Sequence, residues 1–169
     1  MISDSEYYEM LLPETRKVLE EGALEEKIAY AQVDKFIPYN RAAEILKIIE
    51  DIFTRPRKHR MPCILLYGES NNGKSSIIKE FNRWHPPTDG YDSDALPVVV
   101  TEVSNAETSH LYDNILQNIL IPFKKSHTLS QKEHLIKYHF GQLGTKMLLI
   151  DEIHTILAGT AAKRAHFMN

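Results

Sequence analysis

Gly68-Glu69-Ser70-Asn71-Asn72-Gly73-Lys74-Ser75 fills the pattern G-x-x-x-x-G-K-[ST], set between an apolar run and a helix-like stretch. That is the setting of a phosphate-binding P-loop. The preceding run, Cys63-Ile64-Leu65-Leu66-Tyr67, follows Pro62 and reads as a buried parallel strand that feeds into the loop. Gly68 and Gly73 permit backbone angles and close approaches that turn successive N–H groups inward around phosphate oxygens. Residues 68–76, ending with Ser76, are therefore the expected nucleotide-binding stretch. Within it Lys74 is expected to reach the β- and γ-phosphates, and the Ser75 hydroxyl a magnesium ion. The helix that begins here, through Ile77, Ile78 and Phe81, points its positive end at the anion. The ligand class is a nucleoside triphosphate with magnesium.

A second apolar strand, Met147-Leu148-Leu149-Ile150, ends in Asp151-Glu152 and has the form of a Walker B segment. An aspartate at such a strand end holds magnesium on the side facing the loop serine, so Asp151 is the second metal residue. Glu152 is placed to polarise a water for attack on the γ-phosphate. Its bland alternative is a helix N-terminal carboxylate favoured by the dipole. The distance along the chain from Lys74 to Asp151 leaves room for one intervening strand and its crossovers.

At 169 residues the chain is long enough for one sizeable core, and its 43% apolar and 25% charged composition is that of an ordinary globular protein. No apolar run approaches a membrane span, and the start Met1-Ile2-Ser3-Asp4-Ser5-Glu6 is acidic where a signal peptide is basic. The expectation is a cytoplasmic protein without a membrane partner. The single cysteine, Cys63, excludes an internal disulfide and reads as a buried small hydrophobe. A net charge of −3 exerts no global pull on nucleic acid, so any DNA contact must be a local basic patch. Among the histidines, His134 and His139 lack metal-ligand spacing, and Cys63 has no cysteine partner. His154, following the acid pair, is either a sensor contact near the nucleotide or a hydrogen-bonded helix residue.

Residues 5–32 are helix-prone and interrupted near Pro13 and Gly22, giving one or two amphipathic helices that either dock a partner or pack on the core. After the link Phe36-Ile37-Pro38-Tyr39-Asn40, a helix from Arg41 to about Phe53 presents Ala42, Ile45, Leu46, Ile49 and Phe53 on one face. Thr54-Arg55-Pro56-Arg57-Lys58-His59-Arg60 is a basic loop for phosphates or a neighbouring subunit, or a solvated connection. His85-Pro86-Pro87-Thr88-Asp89-Gly90 is a break, and Pro97 to Val103 is β-branched and reads as a core strand. Thr108 to Leu120 has helical spacing, stopped by Pro122. The helix from Ser130 to Leu143 opens on Ser130 as N-cap with Glu133 completing a capping box. The alternation predicts an α/β fold: a P-loop NTPase with three parallel strands and helices on both faces.

Several stretches together resemble the TniB family, AAA+ ATPase subunits of transposition systems similar to the TnsC regulators. They are Ile37-Pro38-Tyr39-Asn40-Arg41-Ala42, Met61-Pro62, the loop with its Asn71-Asn72 pair, Trp84-His85-Pro86, and the run from Met147 through Asp151-Glu152-Ile153-His154 to Leu157-Ala158-Gly159. The resemblance covers roughly residues 35–169, making 1–34 an N-terminal helical extension and 35–169 a partial AAA+ nucleotide-binding domain. It implies a regulator that binds ATP and Mg2+, assembles on DNA as a ring or filament, and passes target information from a target-selection protein to a transposase. Lys74, Ser75, Asp151 and Glu152 take the nucleotide roles already argued. Lys163 and Arg164 are DNA-facing by a loose match, or begin a solvated helix.

In the AAA+ fold a sensor strand lies between the P-loop strand and the Asp-Glu strand, followed by an arginine finger and a helical lid, and the sequence ends at Asn169 before them. The expectation is a fragment, its sheet incomplete at the C-terminus, with two strand edges whose unpaired groups cost about 1–3 kcal/mol each if dehydrated. It binds ATP weakly and hydrolyses it poorly, since an arginine finger contributes about 10³–10⁵ in rate. Two alternatives stand beside this reading. One is a DExH-type helicase, which Asp151-Glu152-Ile153-His154 fits by letters although Asn72-Gly73-Lys74-Ser75 lacks the helicase loop's preceding glycine. The other is a non-catalytic fragment that competes for partners through its N-terminal helices.

Overall fold

A computed structural model of the chain describes residues 11–33, 35–58, 60–88, 95–105 and 107–157. They fall into two compact units, Met1–Ile37 and Pro38–Asn169. In the first, α1 (Pro13–Glu21) starts on its proline, where the missing N–H has no helical partner to lose. It ends at Gly22, where the backbone turns extended and a Cβ would sit 2.5 Å from the Val18 carbonyl oxygen, so the turn needs glycine. Then α2 (Leu24–Gln32) begins, its first turn tied by the Glu26 carboxylate, which accepts from the Ala23 N–H at 3.1 Å. The Thr15 and Tyr30 hydroxyls meet at 3.1 Å between the two helices. Neither helix buries a residue, and Leu24, Ile28 and Val33 stay exposed.

The second unit opens with α3 (Asn40–Thr54), whose buried stripe is Ala42, Leu46 and Ile49. It lies against α4 (Lys74–Trp84), which contributes Ile77 and Phe81. Phe53 and Phe81 meet edge-on with ring centroids 5.8 Å apart. His85, at the end of α4, stacks on Phe53 at 4.0 Å and meets the Glu50 carboxylate at 2.7 Å. The Trp84-His85-Pro86 stretch therefore fastens the far ends of the two helices together. The basic loop that follows α3 is partly engaged by the chain itself. Arg55 pairs with Asp51, and Arg57 donates to the Thr145 carbonyl at 2.9 Å.

Strands β1 (Val98–Glu102) and β2 (Met147–Asp151) pair in parallel, with Val98 opposite Met147 and Glu102 opposite Asp151. Between them run α5 (Thr108–Asn118) and α6 (Leu129–Gln142). After β2 comes the short α7 (His154–Leu157). Val99 and Val103 pack with Leu111, Ile115, Leu116, Ile136 and Ile156, so the odd-numbered side chains of β1 face this core. Alternation along a strand turns Val100 and Glu102 to the other face. At the edge of β1 away from β2, Asn118 and Asn114 donate to the carbonyls of Val100 (2.7 Å) and Glu102 (3.0 Å). Amides one helical turn apart thus satisfy carbonyls two residues apart on an otherwise open edge.

Two expectations need correction. Residues 63–67 are not a buried strand: Cys63, Ile64, Leu65 and Tyr67 are exposed, Tyr67 by 86%. A parallel strand exists through its ladder with a neighbour, and among the described residues the sheet is β1 paired with β2 alone. The three-stranded sheet becomes two-stranded, and Cys63 loses the cover that made it a core residue. The second correction concerns α6, which is capped by Thr128 rather than Ser130. Thr128 Oγ1 accepts from Gln131 N at 3.3 Å, while Gln131 Oε1 accepts from Thr128 N at 2.8 Å. Both Thr128–Gln131 and Ser130–Glu133 match the box by letters. Starting two residues earlier gives the helix its first turn, and Glu133 pairs with Lys137 instead.

The last turn of α5 closes with Leu120 in the left-handed region (φ 57). Its N–H donates to Gln117 O and that of Ile121 to Leu116 O, both at 3.0 Å, the pairing that usually has glycine at the left-handed position. At the end of α6 that position is filled by Gly144 (φ 61), with Thr145 N–H donating to Phe140 O at 2.9 Å. Leu120 is 88% exposed, so its side chain offers no packing in return. Leu120→Gly is expected to raise stability by about 0.5–1 kcal/mol, relief of left-handed strain outweighing the unfolded-state entropy of glycine. A shift of the urea midpoint to higher concentration at constant m-value checks it, and a shift downward contradicts it.

Candidate functional site

The phosphate loop is shaped by two left-handed residues, Asn71 (φ 64) and Gly73 (φ 73), the second being the N-cap of α4. At Gly73 any side chain is strained by the backbone and would meet the Tyr39 hydroxyl, 3.6 Å from a Cβ. Gly68 is different, since a Cβ there would touch only Asn72 Nδ2 at 4.0 Å. The fold itself leaves room at 68. Lys74 turns back along the loop, its ammonium donating to the carbonyls of Gly68 (3.0 Å) and Glu69 (2.7 Å). Glu69, Ser70, Asn71, Asn72 and Ser76 are exposed, and Ser75 is half-buried.

Ser75 and Asp151 lie on one open cleft of about 390 Å³. Ile78 and Lys79 of α4 line it on one side, Val100 and Glu102 of β1 and Asn114 and Asn118 of α5 on the other. The cleft sits where the parallel strands end, the position at which open α/β sheets bind ligands. A serine hydroxyl and a carboxylate lining one cleft form a hard-oxygen donor set, which suits magnesium. The N-terminus of α4 adds backbone N–H groups and a positive dipole end suited to anions. Among the described residues no group of three or more His, Cys, Asp or Glu forms a metal cluster. Among the described residues no helix is long and apolar enough to cross a membrane.

The acid pair divides. Asp151 Oδ1 accepts from the Glu152 N–H at 2.9 Å, and Glu152 takes a left-handed backbone (φ 57). Its carboxylate lies 3.0 Å from His154 Nδ1 rather than on the cleft wall. His154 is exposed and paired with Glu152. Lys163 and Arg164 lie outside the described residues.

Two further residues reach the site. The Tyr39 hydroxyl donates to the Asn72 carbonyl at 3.1 Å, joining the start of α3 to the loop. Glu102 is the register partner of Asp151 and shares its cleft. Glu102 lies within the segment that reads as a core strand, but its pairing with Asp151 depends on the register between two distant strands. Tyr39 stands in a turn-like link and in one of the stretches that carry the family resemblance, but neither signals a contact with the loop.

The sequence matches the family described as Bacterial TniB protein over residues 27–169, and the chain belongs to that family. Its members are NTPases associated with transposition, and membership implies a P-loop NTPase fold and nucleotide binding. No match is found among curated proteins.

Proposed function

We propose that this TniB-family chain binds ATP with magnesium in the cleft between Ser75 and Asp151, engages DNA in that state, assembles with further copies as a ring or filament, and recruits or activates a transposase in response to a target-selection protein. The observation that carries the reading is the convergence of Ser75, Asp151 and the N-terminus of α4 on one cleft at the strand ends, beside a loop built on left-handed Asn71 and Gly73. Lys74, held on two loop carbonyls, is the group that exchanges those bonds for the β- and γ-phosphates. Ser75 and Asp151 hold magnesium, which when bound neutralises charge on the phosphate oxygens. Glu152 orients the attacking water once its carboxylate leaves His154. Lys163 and Arg164 are candidates for the DNA-facing side. Of the basic loop, Lys58 and Arg60 are exposed, and they bear on DNA more directly than the engaged Arg55 and Arg57.

Fluorescence anisotropy of a labelled duplex at fixed salt tests the coupling of nucleotide to DNA. Affinity is expected to rise at least about 5-fold with Mg-ATP over magnesium alone, within the usual range of coupling between sites. Asp151→Asn is expected to erase the difference. Equal DNA affinity with and without ATP contradicts the proposal, and separation of a forked duplex points to helicase chemistry in its place.

A further inference from the structure

We infer that Tyr39 is a positioning residue for the phosphate loop, a hydroxyl clasp that fixes the direction of the Gly73 amide; the inference rests on the nucleotide-binding reading above. The hydroxyl donates to Asn72 O at 3.1 Å. The peptide that follows is trans, so the Gly73 N–H points away from the Asn72 carbonyl. Holding the carbonyl against Tyr39 therefore holds the amide on the opposite side, as an anion-binding loop requires of its N–H groups. The clasped corner lies between Asn71 and Gly73, both left-handed. Asparagine tolerates a left-handed backbone better than most side chains, and the bond to the adjacent Asn72 carbonyl helps hold the corner.

The loop has a second fastening, the bonds from Lys74 to the carbonyls of Gly68 and Glu69. Those two compete with a ligand, because Lys74 is the group assigned to the phosphates. The Tyr39 bond does not compete, since its acceptor is a carbonyl and an anion seeks donors. It is the fastening that survives occupancy. Tyr39 is itself held from behind, as its carbonyl accepts from Ala43 N at 3.0 Å at the start of α3. Leu46 and Ile49 of that helix are buried, and Phe53 packs on Phe81 of α4. The two helices thus meet twice, at their far ends through His85 and at their near ends through the Tyr39–Asn72 bond.

Tyr39→Phe removes the hydroxyl and keeps the ring. Competition against a fluorescent ATP analogue is expected to show Mg-ATP binding weakened about 3- to 10-fold, the range for one hydrogen bond. Inorganic tripolyphosphate is expected to weaken by the same factor, because the clasp acts on the phosphate loop and not on a base. In the ligand-free protein, hydrogen exchange at the amides of residues 72–74 is expected to accelerate by a similar factor, with the melting temperature unchanged because Tyr39 is 47% exposed. Unchanged exchange at those amides overturns the inference. So does a loss confined to ATP with tripolyphosphate unaffected, which assigns Tyr39 to the base. If the unaltered protein binds no triphosphate, the nucleotide reading falls, while the exchange measurement still decides whether Tyr39 holds the loop.

Discussion

Lys132→Ala is expected to lower the free energy of unfolding by about 3–5 kcal/mol, a large share of the roughly 5–15 kcal/mol that holds a domain together. Lys132 is 1% exposed, on a helix whose neighbouring positions Gln131 and Lys137 face water. Its ammonium lies 2.6 Å from Asp113 Oδ1 and donates to Ser109 Oγ at 2.8 Å, joining α6 to α5 beneath the ring of Phe123. Alanine leaves the largely buried Asp113 carboxylate without its counter-charge and opens a gap the length of the lysine stem. Both effects act on the interface that carries most of the crossover between β1 and β2. Urea unfolding of the variant measures the loss. The double replacement Lys132→Met with Asp113→Leu is expected to recover much of it, since apolar residues of similar volume replace a buried pair at little net cost. A loss below about 1 kcal/mol for Lys132→Ala would put the pair in the class of exposed ion pairs and refute its placement in the core.

Lys74→Ala is expected to weaken Mg-ATP binding by about 10²–10⁴-fold while moving stability by less than about 1 kcal/mol. The affinity loss follows from two charge-assisted hydrogen bonds to phosphate, each contributing about 1.5–3 kcal/mol. The small effect on stability follows from the acceptors that Lys74 leaves behind. The bonds from its ammonium to Gly68 O and Glu69 O are exposed, so water replaces the donor. Titration calorimetry and a melting curve on the same variant separate the two quantities. Binding that survives the substitution would remove the P-loop from the nucleotide reading, and binding lost together with the fold would show that Lys74 supports the structure.

The contrast between these lysines shows what is legible in a sequence. Lys74 announces itself by its neighbours, because phosphate binding requires glycine, lysine and serine at set offsets along one loop. Lys132 has no such signature. Its burial results from the angle at which α6 crosses α5, which brings Asp113 and Ser109 beneath it. The same distinction separates successes from corrections elsewhere. The apolar stripe of α3 was readable because helix period and residue spacing are both local, and Ala42, Leu46 and Ile49 are buried as that spacing requires. The run 63–67 was misread because apolar character is local but strand pairing is not. The cap of α6 was misplaced by two residues because two overlapping boxes compete for one helix start, and letters alone do not rank them. At the end of α5, Pro122 correctly marked the stop, yet the turn itself is made by left-handed Leu120, a residue with no turn signal.

The sequence by itself determined the family, with the nucleotide binding that membership implies, and the order of helices and of the two paired strands, because each rests on chemistry carried by residues close together in the chain. Only the tertiary structure decided that Ser75 and Asp151 share a cleft, that Glu102 stands opposite Asp151, that Glu152 pairs with His154 outside that cleft, and that Tyr39 clasps the loop. Apart from the Glu152 pairing, those relations join residues far apart in the chain, and each depends on a strand register or a helix crossing set by the packing of buried side chains.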